Sequence, residues 1–406
     1  MKRRLVFCIL IVFGLGLGIA CSEVLVRLFV PLTDFFWQWD PAIGMKLVPG
    51  KRGRAAKPGL YDVSVEVNSA GFRDREHAIK KPAGVRRVAL LGDSVVEAMQ
   101  VPFEDSITPA IERQLKMTGI QSEVINFGVS GAGTAREYLA MRDYAFKYRP
   151  DLVLLFFVGN DFGDNTRELK GLSYVPYPQV GQDGSLVLDE AGHPRFASFA
   201  DQTSRFAFLT NMLRDYSKSY RLIRETMDTV PSLGEIRSRF WPQRAVPVAG
   251  QAEDADFALY EIYRVKPRPK WAKGWRVTEE LLVAMRDLAR ESQVEFAVVM
   301  VPGAWEVYPQ RWEEVLDQTP GMRGAELDVD LPSRSLNAFL NEHHVHVINL
   351  LPDFRSRAST PEPLYLRGDA HWTAAGHQLA ADLIAERTAK ILRSEPRYLA
   401  SARPQH

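Results

Sequence analysis

Four short segments hold residues that could do chemistry together: Gly92-Asp93-Ser94, Asn126-Phe127-Gly128, Gly159-Asn160-Asp161 and Asp369-Ala370-His371-Trp372. A serine hydroxyl is a poor nucleophile until a neighbouring base takes its proton. His371 is the candidate base, because an imidazole is the side chain best suited to proton transfer near neutral pH. An imidazolium forms as the serine attacks, and a carboxylate at Nδ1 orients and stabilises it. Asp369 is the carboxylate nearest in sequence. Such a set suits nucleophilic attack by Ser94 on an acyl group. A Gly-Asp-Ser triplet alone is a common turn, so the hypothesis depends on whether the fold joins all four segments.

The elements around these segments supply the means. Within Arg86-Arg87-Val88-Ala89-Leu90-Leu91-Gly92-Asp93-Ser94 a short apolar run stops at Gly92-Asp93-Ser94, as a buried strand would. Thr108-Pro109 reads as an N-cap and first helical residue, opening a helix through Ile111 and Leu115 that ends near Gly119. Glu123–Phe127 is the second strand. Thr134-Ala135-Arg136-Glu137 has the form of a capping box and opens the next helix. Leu152–Val158 is an unbroken apolar run, expected of a central parallel strand buried on both faces. A helix over Thr278–Gln293, strands over Phe296–Val301 and Val345–Leu350, and a last helix from Ala374 to Leu392 complete the β-α alternation. This pattern predicts an α/β fold, a flavodoxin-like doubly wound five-stranded parallel sheet. In such sheets ligands meet the carboxyl ends of the strands, where Ser94, Gly128 and Asn160 all fall.

The chain has 406 residues, 46% hydrophobic and 25% charged, with a formal net charge of +1, an ordinary globular mix that gives no reason to expect nucleic acid. Its two cysteines, Cys8 and Cys21, both lie in an apolar stretch behind Met1-Lys2-Arg3-Arg4. Everything after Ser22 is therefore without thiols, and no cofactor or metal site is expected. We read residues 1–32 as a transmembrane signal anchor, with the basic start inside and the remainder extracytoplasmic. Cleavage after Gly18-Ile19-Ala20 and lipidation of Cys21 are the alternatives. Residues 33–84 form a collar in which Val63–Val67 is a strand and Asn68–Gly71 the turn closing a hairpin; Trp37 and Trp39 sit at the membrane interface or pack on the collar. The core occupies 85–165 and 270–395, and 396–406 is a tail. Between strands three and four, 166–269 is a large insertion leaving from the catalytic edge. In it a hairpin is expected over Tyr174–Phe196, an amphipathic helix over Thr203–Met227 and a loop over Val230–Pro269.

In this order and at these strand ends, the four segments resemble the SGNH/GDSL hydrolases over about Val85 to Leu392, the insertion aside. Gly92-Asp93-Ser94, Gly128, Gly159-Asn160-Asp161 and Asp369-Ala370-His371 correspond to the family's four blocks. The resemblance implies the SGNH hydrolase fold, Ser94 as nucleophile, His371 as base and Asp369 as acid. It also implies an oxyanion hole from the backbone N–H of Ser94, the backbone N–H of Gly128 and the amide of Asn160. A glycine at 128 would let a backbone N–H approach the substrate without a Cβ in the way. The usual last block places the acid three residues before the histidine, where Gly368 stands here. The shorter spacing of Asp369 resembles relatives of the alginate-acetylation type. Asp369 is either the orienting acid or a loop cap beside a serine–histidine dyad.

Trp372 and the apolar N-terminus likewise resemble extracytoplasmic members acting on cell-surface polysaccharide acyl groups. The implied partner is an acyl ester, carbohydrate-linked, with water or a sugar hydroxyl as acceptor. Trp305 and Glu306, after strand four, are candidate substrate contacts; Trp305 is otherwise a packed aromatic. His343, His344 and His346 fall on the opposite edge and read as surface, and Asp93 and Asp161 as turn-forming. Two other classes are weighed. One is a non-catalytic protein holding acylated glycan in the same pocket. The other, a nucleotide binder, is disfavoured because Gly92-Asp93-Ser94-Val95-Val96-Glu97 lacks the later glycines of a dinucleotide turn.

Overall fold

The structure is a computed structural model that describes residues 2–30, 33–172, 175–182, 184–197, 217–229, 258–359 and 363–394. Along the chain run α1 (Lys2–Phe29), β1 (Trp37–Asp40), β2 (Gly44–Leu47), β3 (Arg52–Lys57), β4 (Tyr61–Glu66), β5 (Arg86–Leu91), α2 (Ser94–Glu97), α3 (Ile107–Met117), β6 (Ser122–Asn126), α4 (Thr134–Asp143), β7 (Leu152–Phe157) and α5 (Asp161–Asp164). Then come α6 (Lys218–Thr229), α7 (Pro269–Glu291), β8 (Glu295–Met300), α8 (Ala304–Val307), α9 (Pro309–Gln318), α10 (Leu331–Glu342), β9 (His346–Asn349), α11 (Leu351–Arg357) and α12 (Ala374–Arg393).

β6, β5, β7, β8 and β9 lie side by side in that order, all parallel. The order is the expected flavodoxin-like one, with the nucleophile's strand second and its chain neighbours on either side. Alternation along β5 and β7 explains why both strands are apolar throughout. Val88, Leu90, Leu152, Leu154 and Phe156 enter the core on one face of the sheet, and Ala89, Leu91, Val153, Leu155 and Phe157 the core on the other. α3 and α12 cover the first face through Ile107, Ile111, Leu115, Ala381 and Ile384. α4, α7 and α10 cover the second through Tyr138, Leu139, Leu282, Met285 and Leu336. Each fully buried Leu or Val contributes about 1.5–3 kcal/mol, so Leu154→Ala would strike both the sheet and the helices above it.

Several local expectations are corrected. The helix after Gly133 has no capping box: Gly133 is its N-cap, and the Asn165 side-chain Oδ1 takes the Ala135 N–H at 2.8 Å from outside. With that donor satisfied, Glu137 turns inward and is buried. α3 starts at Ile107 with Ser106 as N-cap, ahead of Thr108. β4 pairs backwards with β3 rather than forwards past Asn68. Asn68 makes a turn by accepting the Ala70 and Phe72 N–H groups at 3.1 and 3.0 Å. α7 begins at Pro269, more than two turns before Thr278. Antiparallel bridges Pro178–Phe196, Val180–Leu186 and Leu188–Pro194 mark the hairpin in the insertion. The helix expected over 203–227 is described only from 217, and most of the 230–269 loop and the tail beyond 394 lie outside the described residues.

By their internal packing the residues fall into two units. The first draws on Met1–Phe36, Gly53–Ser64 and Asp201–Ala245; the second holds Trp37–Arg52, Val65–Ala200 and Val246–His406, with the whole parallel sheet. In the first, the Glu23 carboxylate accepts the Ser217 hydroxyl and the N–H groups of Lys218 and Ser219 at 2.9–3.1 Å, capping α6, and ion-pairs with Arg27 at 2.7 Å. The last turns of α1 are thus committed to polar partners. Among the described residues no helix is long and apolar enough to cross a membrane, so the expected spanning helix is not seen. Apolar side chains of α1, among them Phe7, Phe13 and Leu28, are more than half exposed.

Candidate active site

The end of β5 turns sharply into α2. Gly92 is required there, since a Cβ would lie 2.5 Å from Val96 Cγ2. The Asp93 carboxylate caps the helix by accepting the Val95 N–H at 2.9 Å. Ser94 becomes the first helical residue, half-buried. The four-residue helix has little stability of its own, and neighbours hold its far end. Ala98 takes a left-handed conformation at φ 54°. The buried Arg73 guanidinium donates to the carbonyls of Glu97 (3.2 Å), Ala98 and Val101 (2.6 Å). Burial brings its pKa down to about 10, so it stays a cation. The Asn126 amide donates to Val96 O at 2.7 Å. Glu97 is fully buried and accepts the Trp37 indole N–H at 3.2 Å and the Ser130 hydroxyl. Desolvation pushes its carboxyl up to about 7.

His371 arrives on a small hairpin between Leu364 and Thr373. Thr373 N–H donates to Leu364 O at 3.0 Å and Leu366 N–H to His371 O at 2.9 Å. The turn closes with Asp369 N–H on Leu366 O at 3.3 Å and Gly368 at φ 67°, where a side chain would be strained. Trp372, 1% exposed, anchors the hairpin against Phe354 and His377. Burial holds the His377 imidazole neutral, with its pKa down to about 3, so it adds no charge behind His371.

Asp369 Oδ1 accepts both the backbone N–H of His371 at 3.0 Å and its ring Nδ1–H at 2.5 Å. A carboxylate only accepts, which fixes the imidazole proton on Nδ1 and leaves Nε2 as the acceptor. Nε2 lies 2.9 Å from Ser94 Oγ. The three residues singled out as nucleophile, base and acid are thus brought into one hydrogen-bonded line despite the short Asp369–His371 spacing. This arrangement can draw the proton from Ser94 Oγ and hold it while an acyl group is attacked.

The expected oxyanion donors fare unevenly. The Gly128 N–H, expected as a donor, meets the Asn126 side-chain oxygen at 2.8 Å. A Cβ at 128 would lie 2.7 Å from both Glu97 N and Val96 Cβ, so the glycine also lets this loop pack closely on α2. The Asn160 amide donates to Asp164 Oδ2 at 3.2 Å and also hydrogen-bonds the Asp93 carboxylate, offsetting a small part of the rise that burial gives that group. Asp161 takes the Val158 N–H at 3.0 Å, the turn-forming role expected of it. Asp93, Glu137, Asp161 and Asp164 are all buried, and desolvation raises each carboxyl above its ordinary range, with repulsion from neighbouring carboxylates adding to the rise at Asp93, Glu137 and Asp161.

Trp305 and Glu306 are not arranged as open substrate contacts. The Trp305 indole donates to Tyr263 OH at 2.6 Å, covers Gly303 and meets Tyr260 edge-on at 5.1 Å, so its packed reading holds. Glu306 accepts the Gly303 N–H at 2.5 Å and is desolvated to a pKa of about 7. It lines a cavity of about 30 Å³ with Gly159, Phe162, Met300, Ser333 and Asn349, room for one or two waters. Among the described residues no group of three His, Cys, Asp or Glu side chains is placed to hold a metal ion.

Sequence reasoning missed Arg73 and Glu97, and named Asn126 within its segment without a role. Trp37 was read as an interface or collar aromatic, yet its indole N–H is spent on Glu97. Only Asn126, directly before Phe127-Gly128, carried a sequence signal.

Residues 260–404 match the family described as the SGNH hydrolase-like domain of the acetyltransferase AlgX. That stretch includes Asp369 and His371 but not Ser94, Gly128 or Asn160. Over that stretch the chain is similar to an SGNH hydrolase-like domain, in line with the motif resemblance. No curated protein matches the chain. Similar solved structures include an acetyl xylan esterase at 14% identity, covering 74% of this chain and 98% of that one with a TM-score of 0.36. A hydrolase from the metagenome of Lake Arreo, Spain, stands at 11% identity, 76% and 97% coverage and a TM-score of 0.38. A lipase/acylhydrolase from Enterococcus faecalis stands at 13%, 75% and 96%, and 0.36.

Proposed function

We propose that this SGNH-type chain is a serine-dependent hydrolase or transferase of acyl esters, acting through an acyl-enzyme on Ser94. The observation that carries the reading is the line Asp369 Oδ1, His371 Nδ1, His371 Nε2, Ser94 Oγ, at 2.5 and 2.9 Å. In the first step Ser94 Oγ attacks the ester carbonyl carbon while its proton passes to His371 Nε2. Asp369 holds the resulting imidazolium. The tetrahedral oxyanion is met by the Ser94 N–H and by the Asn160 amide, turned from its acidic neighbours. Losing one such donor costs about 3–4 kcal/mol of transition-state stabilisation. Collapse breaks the bond to the leaving alcohol, which takes the proton from His371. Water or a sugar hydroxyl then repeats the sequence in reverse role, regenerating Ser94.

The family match to an acetyltransferase domain supports acetyl as the acyl group, and the carrier proposed for it is a carbohydrate. The basic start and the exposed apolar side chains of α1 support an extracytoplasmic enzyme held at a lipid surface. Recovery of the full chain in the soluble fraction after cell lysis would count against that location.

A second reading, a non-catalytic holder of acylated glycan, is favoured by one observation: the Gly128 N–H is already taken by Asn126. The two separate cleanly. A fluorophosphonate probe should label the full chain on Ser94, and Ser94→Ala should abolish labelling. Labelling of a different serine, or of none, would overturn the hydrolase reading.

A further inference from the structure

Arg311 is the third residue of α9, far in sequence from every motif of the site. Its guanidinium donates from Nη1 to the carbonyl of Asp369 at 3.0 Å and from Nη2 to the carbonyl of Leu366 at 2.9 Å. Those two residues are the ends of the turn that carries Gly368, and the Asp369 N–H already bonds to Leu366 O. One planar cation therefore bridges both ends of the turn, with Tyr308 beneath it at 5.6 Å. A lysine, with a single point charge, cannot reproduce that two-pronged grip.

The Asp369–His371 pair needs this grip because it is short. With one residue between them, Asp369 Oδ1 must serve the backbone N–H and ring Nδ1–H of His371 together. A rotation of the Asp369 peptide would carry the carboxylate away from both donors at once, since one oxygen serves the two. Fixing the Asp369 carbonyl fixes that peptide plane. Exposed Ala370 and Arg367, on either side of the turn, have no burial to do the same work.

We infer that Arg311 is a positioning residue for the acid–base loop, setting the Asp369–His371 geometry on which the chemical step depends. The inference rests on the reading of Asp369 and His371 as acid and base. Arg311 touches no reacting atom, so its effect belongs to kcat. A displacement of about 1 Å in such a pair costs about 100-fold. Arg311→Ala should lower kcat by about 10- to 100-fold with KM unchanged. Arg311→Lys should recover only part of the loss, and guanidinium ion below denaturing concentration should partly restore Arg311→Ala.

The test is run on the full chain, with an acyl ester that the wild type turns over. An independent arm follows the downfield proton NMR signal of the His371 Nδ1–H. That signal should disappear in Arg311→Ala and persist in Ser94→Ala. Wild-type kcat in Arg311→Ala, a loss confined to KM, or an unchanged downfield proton would each overturn the assignment. If the wild type itself turns over no ester, the hydrolase reading fails, and the NMR arm alone decides Arg311.

Discussion

Replacing Glu97 by glutamine should remove a pH dependence of stability that the wild-type chain carries between about pH 4.5 and 7. The carboxyl is fully buried, touched by the Trp37 indole and the Ser130 hydroxyl, and desolvation is the largest cause of its rise from 4.5 to about 7. Across that window the native state keeps a proton that the unfolded chain has released. Stability present below the unfolded value is therefore lost as pH climbs through the folded one. A shift of this size corresponds to about 3 kcal/mol at 1.36 kcal/mol per unit. Glutamine can still accept from Trp37 and donate to Ser130, so the cavity is filled and the polar partners kept. Above about pH 7 the variant forgoes an anion beside the buried Arg73, and so about 3 kcal/mol is a ceiling. Urea unfolding of both proteins at a series of pH values reads the difference. The variant should match the wild type near about pH 5 and gain on it by up to about 3 kcal/mol near about pH 8. A difference that stays constant across the series would refute the assignment of a raised Glu97.

Two further outcomes follow from the site. Asp369→Asn keeps the shape but leaves the His371 ring with the wrong tautomer, so kcat for a turned-over ester should fall by about 1,000- to 10,000-fold. A fall of less than tenfold would make the site a serine–histidine dyad with Asp369 as loop cap. Gly128→Ala drives a Cβ to within 2.7 Å of the Glu97 backbone nitrogen and Val96 Cβ. Overpacking of this kind costs about 1–3 kcal/mol, to be seen as a lowered thermal midpoint; an unchanged midpoint would show that α2 can yield.

The sheet was legible because strands buried on both faces leave unbroken apolar runs, and β5, β7 and β8 do so in that order. Ser94, Asn160, Asp369 and His371 were legible because their residue types follow strand ends or stand close in sequence. What could not be read is what depends on partners remote in the chain. Arg73 serves three carbonyls, and Arg311 two, more than twenty or fifty residues away. A carbonyl has no sequence identity, so both arginines look like solvated charges. The capping box at Thr134 fails for the same reason: Asn165, thirty residues on, supplies the cap. The packing of Gly128 on α2 could not be read either, because a glycine in a sequence does not say which neighbour its missing Cβ would meet.

The two arginines give the site a common logic. Nucleophile and base sit on separate, short elements, a four-residue helix and a hairpin of about ten residues, neither rigid alone. Each is held by a guanidinium that donates to several of the element's carbonyls at once, Arg73 at the end of α2 and Arg311 across the Gly368 turn. Trp37, through Glu97, adds a third tie on the nucleophile side. Residues 37–52 and 65–84, expected as a spacer, belong by packing to the unit that holds the sheet. The 2.9 Å separation of Ser94 Oγ and His371 Nε2 is then the product of two independent clamps. Loosening either should cost the chemical step while leaving the substrate-binding surface in place.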